Sequence, residues 1–377
     1  MTLSRLLILS FSNISADARV LKQVKFFADR YDVTTYGYGP SPDDRVRHIQ
    51  LDDSHGIRRW RRSDLILRRF RLIYGQQPAV ARARADLATE QFDVILANDV
   101  DAIGLALDLE PTHGVHADIH EYAPRQNEEL LIWRVFIAPY VRWMCRRFLP
   151  RAASMTTVGQ GIADEYLRVY GVRAGVVTNA APYAELAAKP VDEPIRLVHS
   201  GASLRNRRLE LLVDAALTTT TPVTLDLYLM GNDPEYVQEL RERAASSERV
   251  RFPAAVPYQQ LIERLNEYDV GLHVIAPTNF NNRWALPNKF FDYVQARLGI
   301  IIGPSAEMES LLEARKLGAV AGGFDAVAVS RVLDSLTPQV VHTWKSAAVD
   351  AAYALSSESQ VLIWGAAIDA LADRAAT

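Results

Sequence analysis

A lysine and an aspartate stand one helical turn apart at a predicted helix start. The stretch ALPNKFFDY (285–293) places Lys289 and Asp292 three residues apart, directly after Pro287 and Asn288, which favour a helix N-terminus. Such a terminus presents free N–H groups to an anion, and Lys289 would add a full positive charge. Asp292 could accept hydrogen bonds from vicinal hydroxyls. The pattern fits a site for a phosphate and a ribose, with an i,i+3 surface ion pair as the alternative.

A glycine-containing loop earlier in the same half offers a second set of anion ligands. The segment HSGASLRNRR (199–208) follows a predicted buried strand, and its small residues Gly201 and Ser203 let backbone amides approach a diphosphate. Arg207 and Arg208 then open the next predicted helix, where either guanidinium could bind two phosphate oxygens. Glycine is common in the loops of parallel sheets, so two surface arginines beside an ordinary loop are the alternative.

Three ionisable residues alternate at the end of a predicted strand in the first half. In HADIHEYAP (116–124), His116, Asp118 and His120 project to one face, and Glu121 turns into the following loop. Groups of this kind at a strand end suit acid–base catalysis, with Asp118 either orienting His120 or acting as the base itself. A buried His–Asp pair that stabilises the loop is the alternative.

Strands and helices alternate along the chain around these residues. Strand-like segments at 5–10, 92–98 and 114–120 belong to a first series, and the alternation restarts after the proline-containing segment AAKPVDEP (187–194). This pattern predicts an α/β protein with two Rossmann-like parallel-sheet domains facing a cleft, with ligands beyond the carboxyl ends of the strands. The predicted domains are 1–189 and 190–356, with a C-terminal helix at 357–377 that crosses between them and belongs with the first.

Composition limits the possible classes of protein. The 377 residues are 49% hydrophobic and 23% charged, as in soluble globular proteins, and no run of about 20 apolar residues predicts a membrane span. The single cysteine, Cys145, excludes an intrachain disulfide and fits a reducing, cytoplasmic location. The net charge of −3 argues against nucleic acid as a partner.

Two arginine-rich segments in the first half also contain aromatic residues. The stretch 58–71 holds seven arginines and one acid, and the stretch 133–151 holds five arginines and no acid. Arginine beside tryptophan suits an anionic bilayer surface, with solvated helix faces as the alternative. The residues predicted to contact the membrane are Arg58, Arg59, Trp60, Arg61, Arg62, Trp143, Arg146 and Arg147.

These segments, taken in order, resemble one family of enzymes over most of the chain. The resemblance to the C-terminal half of GT-B glycosyltransferases of the family 4-like group rests on RLVHSGASLRNRRLELLVDAAL, VRFPAAVPYQQLIERLNEYDVGLHVI and ALPNKFFDYVQARLGIIIGPS. The resemblance to their N-terminal half rests on SNISADARVLKQVKFFADRYDVTTYG, FDVILANDVDAIGLAL and GVHADIHEY. The form PNKFFDY is closer to a divergent branch that includes bacterial exopolysaccharide and cell-surface glycan transferases.

The resemblance implies an enzyme that moves a sugar from a nucleotide diphosphate-sugar to an acceptor hydroxyl. The second domain would bind the donor and the first domain the acceptor, and His120 would touch the donor sugar or supply the base. The family's E-x7-E element would place its first glutamate at Trp284, which leaves retaining and inverting transfer both open. The implied donor-binding residues are Gly201, Ser203, Arg207, Asn288, Lys289 and Asp292. Arg207 and Lys289 would bind the diphosphate, and Asp292 would bind the ribose.

Two acids after the strand at 92–98 fit a different kind of nucleotide site. Asp99 and Asp101 have the D-x-D spacing with which a magnesium or manganese ion can hold a diphosphate. Because an arginine and a lysine already cover the phosphate charge, we expect no metal. We expect Asp99 and Arg19 near the acceptor and Asp101 as a helix cap. No cofactor is expected either, since the nucleotide sugar is a substrate, with UDP favoured over GDP or dTDP.

The expected partners follow from the resemblance and from the arginine-rich segments. We expect a glycan or lipid-linked acceptor and an anionic membrane surface as partners. These partners would place the enzyme in the cytoplasm, peripheral at the inner face of the cell membrane. Two other functions fit the same observations. One is a nucleotide-sugar epimerase of the same fold, and the other is a non-catalytic protein that binds a membrane surface.

Overall fold

The computed structural model describes residues 3–373 and divides them into two compact units. Each unit has its own parallel sheet, which confirms the predicted fold class. The N-terminal unit contains residues 3–178, 279–282 and 360–373, and the C-terminal unit contains residues 179–278 and 283–359.

Seven parallel strands form the sheet of the N-terminal unit. They are β1 (Arg5–Asn13), β2 (Asp32–Tyr38), β3 (Arg47–Gln50), β4 (Val94–Asn98), β5 (Gly114–Ile119), β6 (Ser154–Thr157) and β7 (Gly175–Val176). Their order across the sheet is β3-β2-β1-β4-β5-β6-β7. Every residue of the central strand β4 is buried, as expected for a parallel sheet that is covered on both faces.

Helices connect these strands and cover the sheet. They are α1 (Ala18–Phe27), α2 (Arg62–Ile66), α3 (Phe70–Gln76), α4 (Pro78–Asp86), α5 (Val100–Asp108), α6 (Ala138–Phe148) and α7 (Gln160–Tyr170), and a π-helical turn (Trp133–Ile137) leads directly into α6. Helix α1 begins after Asp17, whose side chain accepts hydrogen bonds from the N–H groups of Arg19 and Val20. Its buried face includes Arg19 and Gln23, two polar residues that therefore need partners inside the unit.

Six parallel strands form the sheet of the C-terminal unit. They are β8 (Ile195–Ala202), β9 (Val223–Met230), β10 (Val250–Arg251), β11 (Val270–His273), β12 (Gly299–Ile302) and β13 (Gly318–Val320), in the order β10-β9-β8-β11-β12-β13. The remaining helices are α8 (Glu210–Thr218), α9 (Pro234–Ala244), α10 (Tyr258–Leu265), α11 (Phe280–Arg283), α12 (Asn288–Gln295), α13 (Ala306–Arg315), α14 (Ala326–Asp334), α15 (Pro338–Ala351) and α16 (Ser357–Ala372).

The units divide earlier in the chain than the sequence suggests. Residues 179–189, predicted to end the first domain, lie in the C-terminal unit, because Ala180 and Ala181 are buried in its core. The carbonyl of Ala181 also accepts a hydrogen bond from the N–H of Ser357, within the same unit. Proline content marks an irregular segment here, but the packed alanines determine the boundary.

Helix α16 supplies apolar side chains to the core of the N-terminal unit. Its first residues, 357–359, lie in the C-terminal unit, and the rest lies in the N-terminal unit. Trp364, Ile368 and Leu371 are buried in one cluster with Leu6 of β1. The predicted helix extends to residue 377, and residues 374–377 lie outside the described part of the chain. Within residues 3–373, every helix is too short or too polar to span a bilayer.

Candidate functional site

The loop after β8 and the first turn of α12 meet in the C-terminal unit. Gly201 has a φ of +137°, a backbone conformation that residues other than glycine rarely adopt. A β-carbon at this position would lie 2.4 Å from Nζ of Lys289, so a side chain here would have to displace the end of the lysine. Helix α12 begins at Asn288, as the sequence predicts, and Asn288 is exposed in the same turn. The loop and the helix start therefore bring Lys289 over the backbone of Gly201.

The positive charges of Lys289 and Arg207 are only partly offset by a nearby carboxylate, that of Asp292. Burial lowers the pKa of Lys289, and the positive charge of Arg207 lowers it further. Arg207 is exposed, and within residues 3–373 neither cation forms an ion pair. A half-buried lysine that is repelled by a neighbouring arginine is stabilised by an anion. The arrangement can therefore bind a phosphate group.

Two buried histidines, which the sequence analysis missed, lie close enough to Lys289 and Arg207 for these positive charges to lower their pKa values. Burial, followed by the charge of Lys289, lowers the pKa of His199 to about 4, and its Nδ1 donates to the carbonyl of Leu272 at 2.8 Å. Burial also holds the pKa of His273 well below its usual value. The Nδ1 atom of His273 is buried and has no hydrogen-bond partner among the described residues. His273 ends β11, a position at which sequence reasoning could have found it.

The other predicted donor-site residues have distinct surroundings. Asp292 is buried, and its Oδ1 accepts a hydrogen bond from Tyr258 Oη at 3.2 Å. The hydroxyl of Ser203 donates to the carbonyl of Met230 at 2.6 Å and accepts from the N–H of Asp233 at 3.2 Å. Ser203 therefore shapes the loop through its hydroxyl rather than presenting that group to a ligand.

In the N-terminal unit, Asp118 lies in a dense set of hydrogen bonds at the end of β5. Its register partners are Asn98 on β4 and Thr156 on β6. Arg19 binds both carboxylate oxygens, with Nε at 2.8 Å and Nη2 at 2.7 Å, and Thr156 Oγ1 and Gln23 Nε2 each donate at 2.7 Å. Burial favours the neutral acid, but Arg19 and His120 outweigh it and hold the pKa of Asp118 well below its usual value.

This environment changes the roles predicted for Asp118 and Arg19. A fully buried carboxylate that accepts four charged or neutral donors is a weak base and cannot reach an acceptor, so Asp118 fits the orienting role and not that of the base. Arg19, predicted near the acceptor, is buried too, and its Nη1 donates to the carbonyl of Val177 at 2.8 Å. Its guanidinium therefore binds groups inside the N-terminal unit, namely Asp118 and the carbonyl of Val177.

The hydrogen bonds around Asp118 determine the tautomer of His120. Because a carboxylate only accepts, Gln23 must direct its amide nitrogen to Asp118 and its oxygen to Asn98 Nδ2, at 2.9 Å. Asn98 therefore directs its Oδ1 to Nε2 of His120, at 3.2 Å, so Nε2 carries the hydrogen. The lone pair of the neutral ring is then on Nδ1, which makes Nδ1 the basic atom of His120.

Asp99 faces the basic side of the same ring. Its Oδ2 lies 3.5 Å from His120 Nδ1, and its Oδ1 accepts the backbone N–H of His120 at 3.1 Å. Asp99 has a φ of +62°, an uncommon conformation for a residue other than glycine. Burial alone would lower the pKa of His120, but the carboxylates of Asp99 and Asp118 outweigh burial and raise it.

Glu121 follows His120 and is held by a residue from far along the chain. Asn281 Nδ2 donates to Glu121 Oε2 and to the carbonyl of Tyr122, both at 3.3 Å, and Asn281 Oδ1 accepts the N–H of Tyr122 at 2.8 Å. Burial and the charge of Asp99 raise the pKa of Glu121. No local pattern in the sequence indicated Asn281, because its partners are more than a hundred residues away.

Three further predictions are changed by the side-chain contacts. Asp101 is not a helix cap, because its buried carboxylate accepts Nε and Nη2 of Arg58, at 3.1 and 3.0 Å. Arg58, predicted on a membrane surface, is consequently turned inward, where Nη1 also donates to Gln126 Oε1 at 3.0 Å. His116 is enclosed between Ser154 and Thr156, and burial lowers its pKa to about 4, so it is part of the β5–β6 packing.

The buried ion pair should dominate the stability of the N-terminal unit. Replacing Arg19 with Met leaves the Asp118 carboxylate buried without its main partner, and we expect a loss of about 3–5 kcal/mol in the free energy of unfolding. Urea titration followed by far-UV circular dichroism measures this loss. The matched control is Arg30→Met, because Arg30 pairs with the exposed Asp369 at 2.7 Å and should cost less than about 1 kcal/mol. Equal losses in the two variants would contradict the account.

The fold described above is similar to that of solved protein structures. No protein-family model matches the chain, and no curated protein matches its sequence. HepE of Anabaena in complex with UDP and glucose is 14% identical with a TM-score of 0.67, over 97% of this chain and 100% of that one. Sucrose-phosphate synthase from Thermosynechococcus elongatus is 15% identical with a TM-score of 0.70, over 99% and 100%. A glycosyltransferase from Rickettsia africae is 11% identical with a TM-score of 0.69, over 98% of each chain. The chain therefore has the GT-B fold of these proteins, as the sequence predicts.

Proposed function

We propose that this protein is a glycosyltransferase that moves a sugar from a nucleotide diphosphate-sugar to an acceptor hydroxyl. The observation that carries the proposal is the excess of positive charge from Lys289 and Arg207 beside the Gly201 loop, which Asp292 only partly offsets. A nucleoside diphosphate supplies the negative charge that this position lacks. The similar HepE structure holds UDP and glucose, which makes a UDP-sugar the first donor to test, before GDP- and dTDP-sugars.

The donor would be held by groups of different chemistry in the C-terminal unit. Lys289, Arg207 and the free N–H groups at the start of α12 would bind the diphosphate. Asp292, one turn further along α12, would accept hydrogen bonds from the ribose hydroxyls. The buried Nδ1 of His273 would gain the partner that it lacks in the described residues. Because Asp292 is buried, the Lys289–Asp292 pair is not the surface ion pair that the sequence left open as the alternative.

In the transfer step, the acceptor oxygen would attack the anomeric carbon while the bond from that carbon to the phosphate oxygen breaks. The nucleoside diphosphate leaves with the bonding electrons, and the hydroxyl proton must go to a base. We assign that base to His120 Nδ1. Asp99 would stabilise the imidazolium that forms, and Asp118 would hold the ring through Nε2. Glu121, held by Asn281, would accept a hydrogen bond from a hydroxyl of the bound sugars.

The nature of the acceptor and the place of action belong to the same proposal. A glycan or a lipid-linked glycan precursor would offer the hydroxyl, and the enzyme would work as a peripheral protein at the inner face of the cell membrane. Arg142, Arg146 and Arg147 form no ion pair within residues 3–373 and support this location, because they would lie against anionic lipids.

Product analysis tests the reaction class. The protein is incubated with UDP-glucose, GDP-mannose or dTDP-glucose, each with and without a total lipid extract of bacterial membranes, and the products are identified by mass spectrometry. We expect one donor to lose its sugar to a lipid, and Lys289→Ala to slow this transfer while the exposed Lys316→Ala does not. An isomerised sugar formed without the extract would identify an epimerase instead. Failure to consume any donor in every arm would also contradict the proposal.

The pH dependence of transfer tests the role of His120. A base must be neutral, so kcat/KM should fall as the pH drops through the pKa of His120, which Asp99 and Asp118 raise above its usual value of about 6.5. Asp99→Asn removes one of these charges, lowers that pKa and should move the acidic limb of the profile to lower pH. Asp108→Asn, on the exposed end of α5, serves as the control and should leave the limb in place. An unmoved limb in Asp99→Asn would show that another group controls it.

A further inference from the structure

A groove on the N-terminal unit collects positive charge around two aromatic rings. Its volume is about 610 Å³, and we call it the arginine groove. Helix α6 forms one wall, and the turn between α2 and α3 forms the other. The groove is lined by Arg68, Phe70, Pro139, Arg142, Trp143, Arg146 and Arg147. All seven residues lie in the two arginine-rich segments of the sequence, and three of them, Trp143, Arg146 and Arg147, were predicted to contact the membrane.

The four arginines of the groove lack the partners that arginines elsewhere on the protein have. Exposed arginines of the chain commonly pair with acids, as Arg45 does with Asp43 at 2.8 Å and Arg205 does with Glu239 at 2.7 Å. In the described part of the chain, no ion pair involves an arginine of the groove, and no acid lines it. Arg68 is also held at a φ of +53°, on the turn that closes the groove.

Exposed aliphatic side chains continue the same helical face beyond the groove. Residues 131–148 are helical throughout, and Leu131 and Ile132 are 66% and 69% exposed. Val135 and Phe136 follow one turn later, and Pro139 and Arg142 come next at helical spacing. Helix α2 packs beside the π-helical turn and adds Ile66, which is 61% exposed. Large aliphatic side chains grouped on a surface in this way mark an interaction site.

We propose that the arginine groove and these aliphatic residues form a docking surface for a bilayer that contains anionic phospholipids. Guanidinium groups would bind lipid phosphates, the half-buried Trp143 would lie at the headgroup level, and the aliphatic residues would enter the acyl boundary. This inference specifies the surface for the proposed peripheral location. It does not depend on glycosyl transfer, because vesicle binding is measured without donor or acceptor.

The chemistry of the surface favours a bilayer over other occupants. A second copy of this face would bring two sets of unpaired arginines together, and like charges repel. Nucleic acid would satisfy the guanidinium groups but would leave Leu131, Ile132 and Ile66 in water, whereas a membrane satisfies both. Arg58 and Trp60, which the sequence placed on the membrane surface, contribute differently: Arg58 is turned inward, and Trp60 packs edge-on against Tyr140 at 5.5 Å.

Vesicle flotation tests the proposal on the full chain. We expect binding to vesicles of phosphatidylcholine mixed with phosphatidylglycerol, weaker binding at higher salt, and little binding to phosphatidylcholine alone. Each arginine near an anionic surface is worth about fivefold in affinity, so the triple variant Arg142→Gln, Arg146→Gln, Arg147→Gln should lose about a hundredfold. The triple variant Arg173→Gln, Arg315→Gln, Arg331→Gln removes the same charge from exposed positions elsewhere and should bind like the parent.

A second variant separates the aliphatic contribution from charge. Leu131→Ser with Ile132→Ser leaves every charge in place and should weaken vesicle binding, and thermal melting confirms that both groove variants stay folded. Equal losses in the groove and control triple variants would reduce the effect to net charge and would overturn the proposal. Absence of binding to the anionic vesicles would overturn it as well. So would tighter binding of the protein to a duplex DNA oligomer than to these vesicles.

Discussion

The constraint on which both candidate sites depend is the common direction of the strands within each sheet. Because all seven strands of one sheet and all six of the other are parallel, each sheet collects its carboxyl ends at a single edge. Asn98, Asp118 and Thr156 lie in register near the carboxyl ends of three neighbouring strands, where Thr156 donates to Asp118 and Gln23 links Asp118 to Asn98. In the C-terminal unit the same rule brings the ends of β8 and β11 to the start of α12. The glycine loop, His273 and Lys289 are therefore neighbours, although they are far apart in the sequence.

The two sites use charge in opposite ways. Around Asp118 every charge is balanced by a buried partner, and the resulting hydrogen-bond chain through Gln23 and Asn98 orients one imidazole without leaving Asp118 available to a ligand. Around Lys289 the protein leaves an excess of positive charge that Asp292 only partly offsets, which disfavours the empty site and favours a bound anion. The balanced network around Asp118 would hold the proposed base, His120, in one orientation, and the excess positive charge around Lys289 would provide binding energy for an anion. Both are needed for transfer from a charged donor, and together they account for the residues that the proposed reaction uses.

The sequence predicted the features that depend on local pattern. Alternating strands and helices led to the fold class, and the Pro287–Asn288 pair led to the start of α12, since capping and periodicity act over one or two turns. Features that depend on distant contacts were missed or misjudged. Arg58 was placed on a membrane because its partner, Asp101, is 43 residues away. Asp118 was a candidate base because the four hydrogen bonds that it accepts come from α1 and β6, two elements distant from it in the sequence. Asn281 carries no motif at all, and only the fold brings it to Glu121.

Isothermal titration calorimetry with UDP and uridine tests the central claim most directly, because the two ligands share a nucleoside and differ only in the diphosphate. The account predicts that UDP binds and that uridine binds far more weakly. It also predicts that Lys289→Ala weakens UDP binding by roughly tenfold to a hundredfold, the value of one charge-assisted contact, while uridine binding is unchanged. If UDP and uridine bound equally well, or if Lys289→Ala left UDP affinity intact, the positive charge beside Gly201 would not be a diphosphate site.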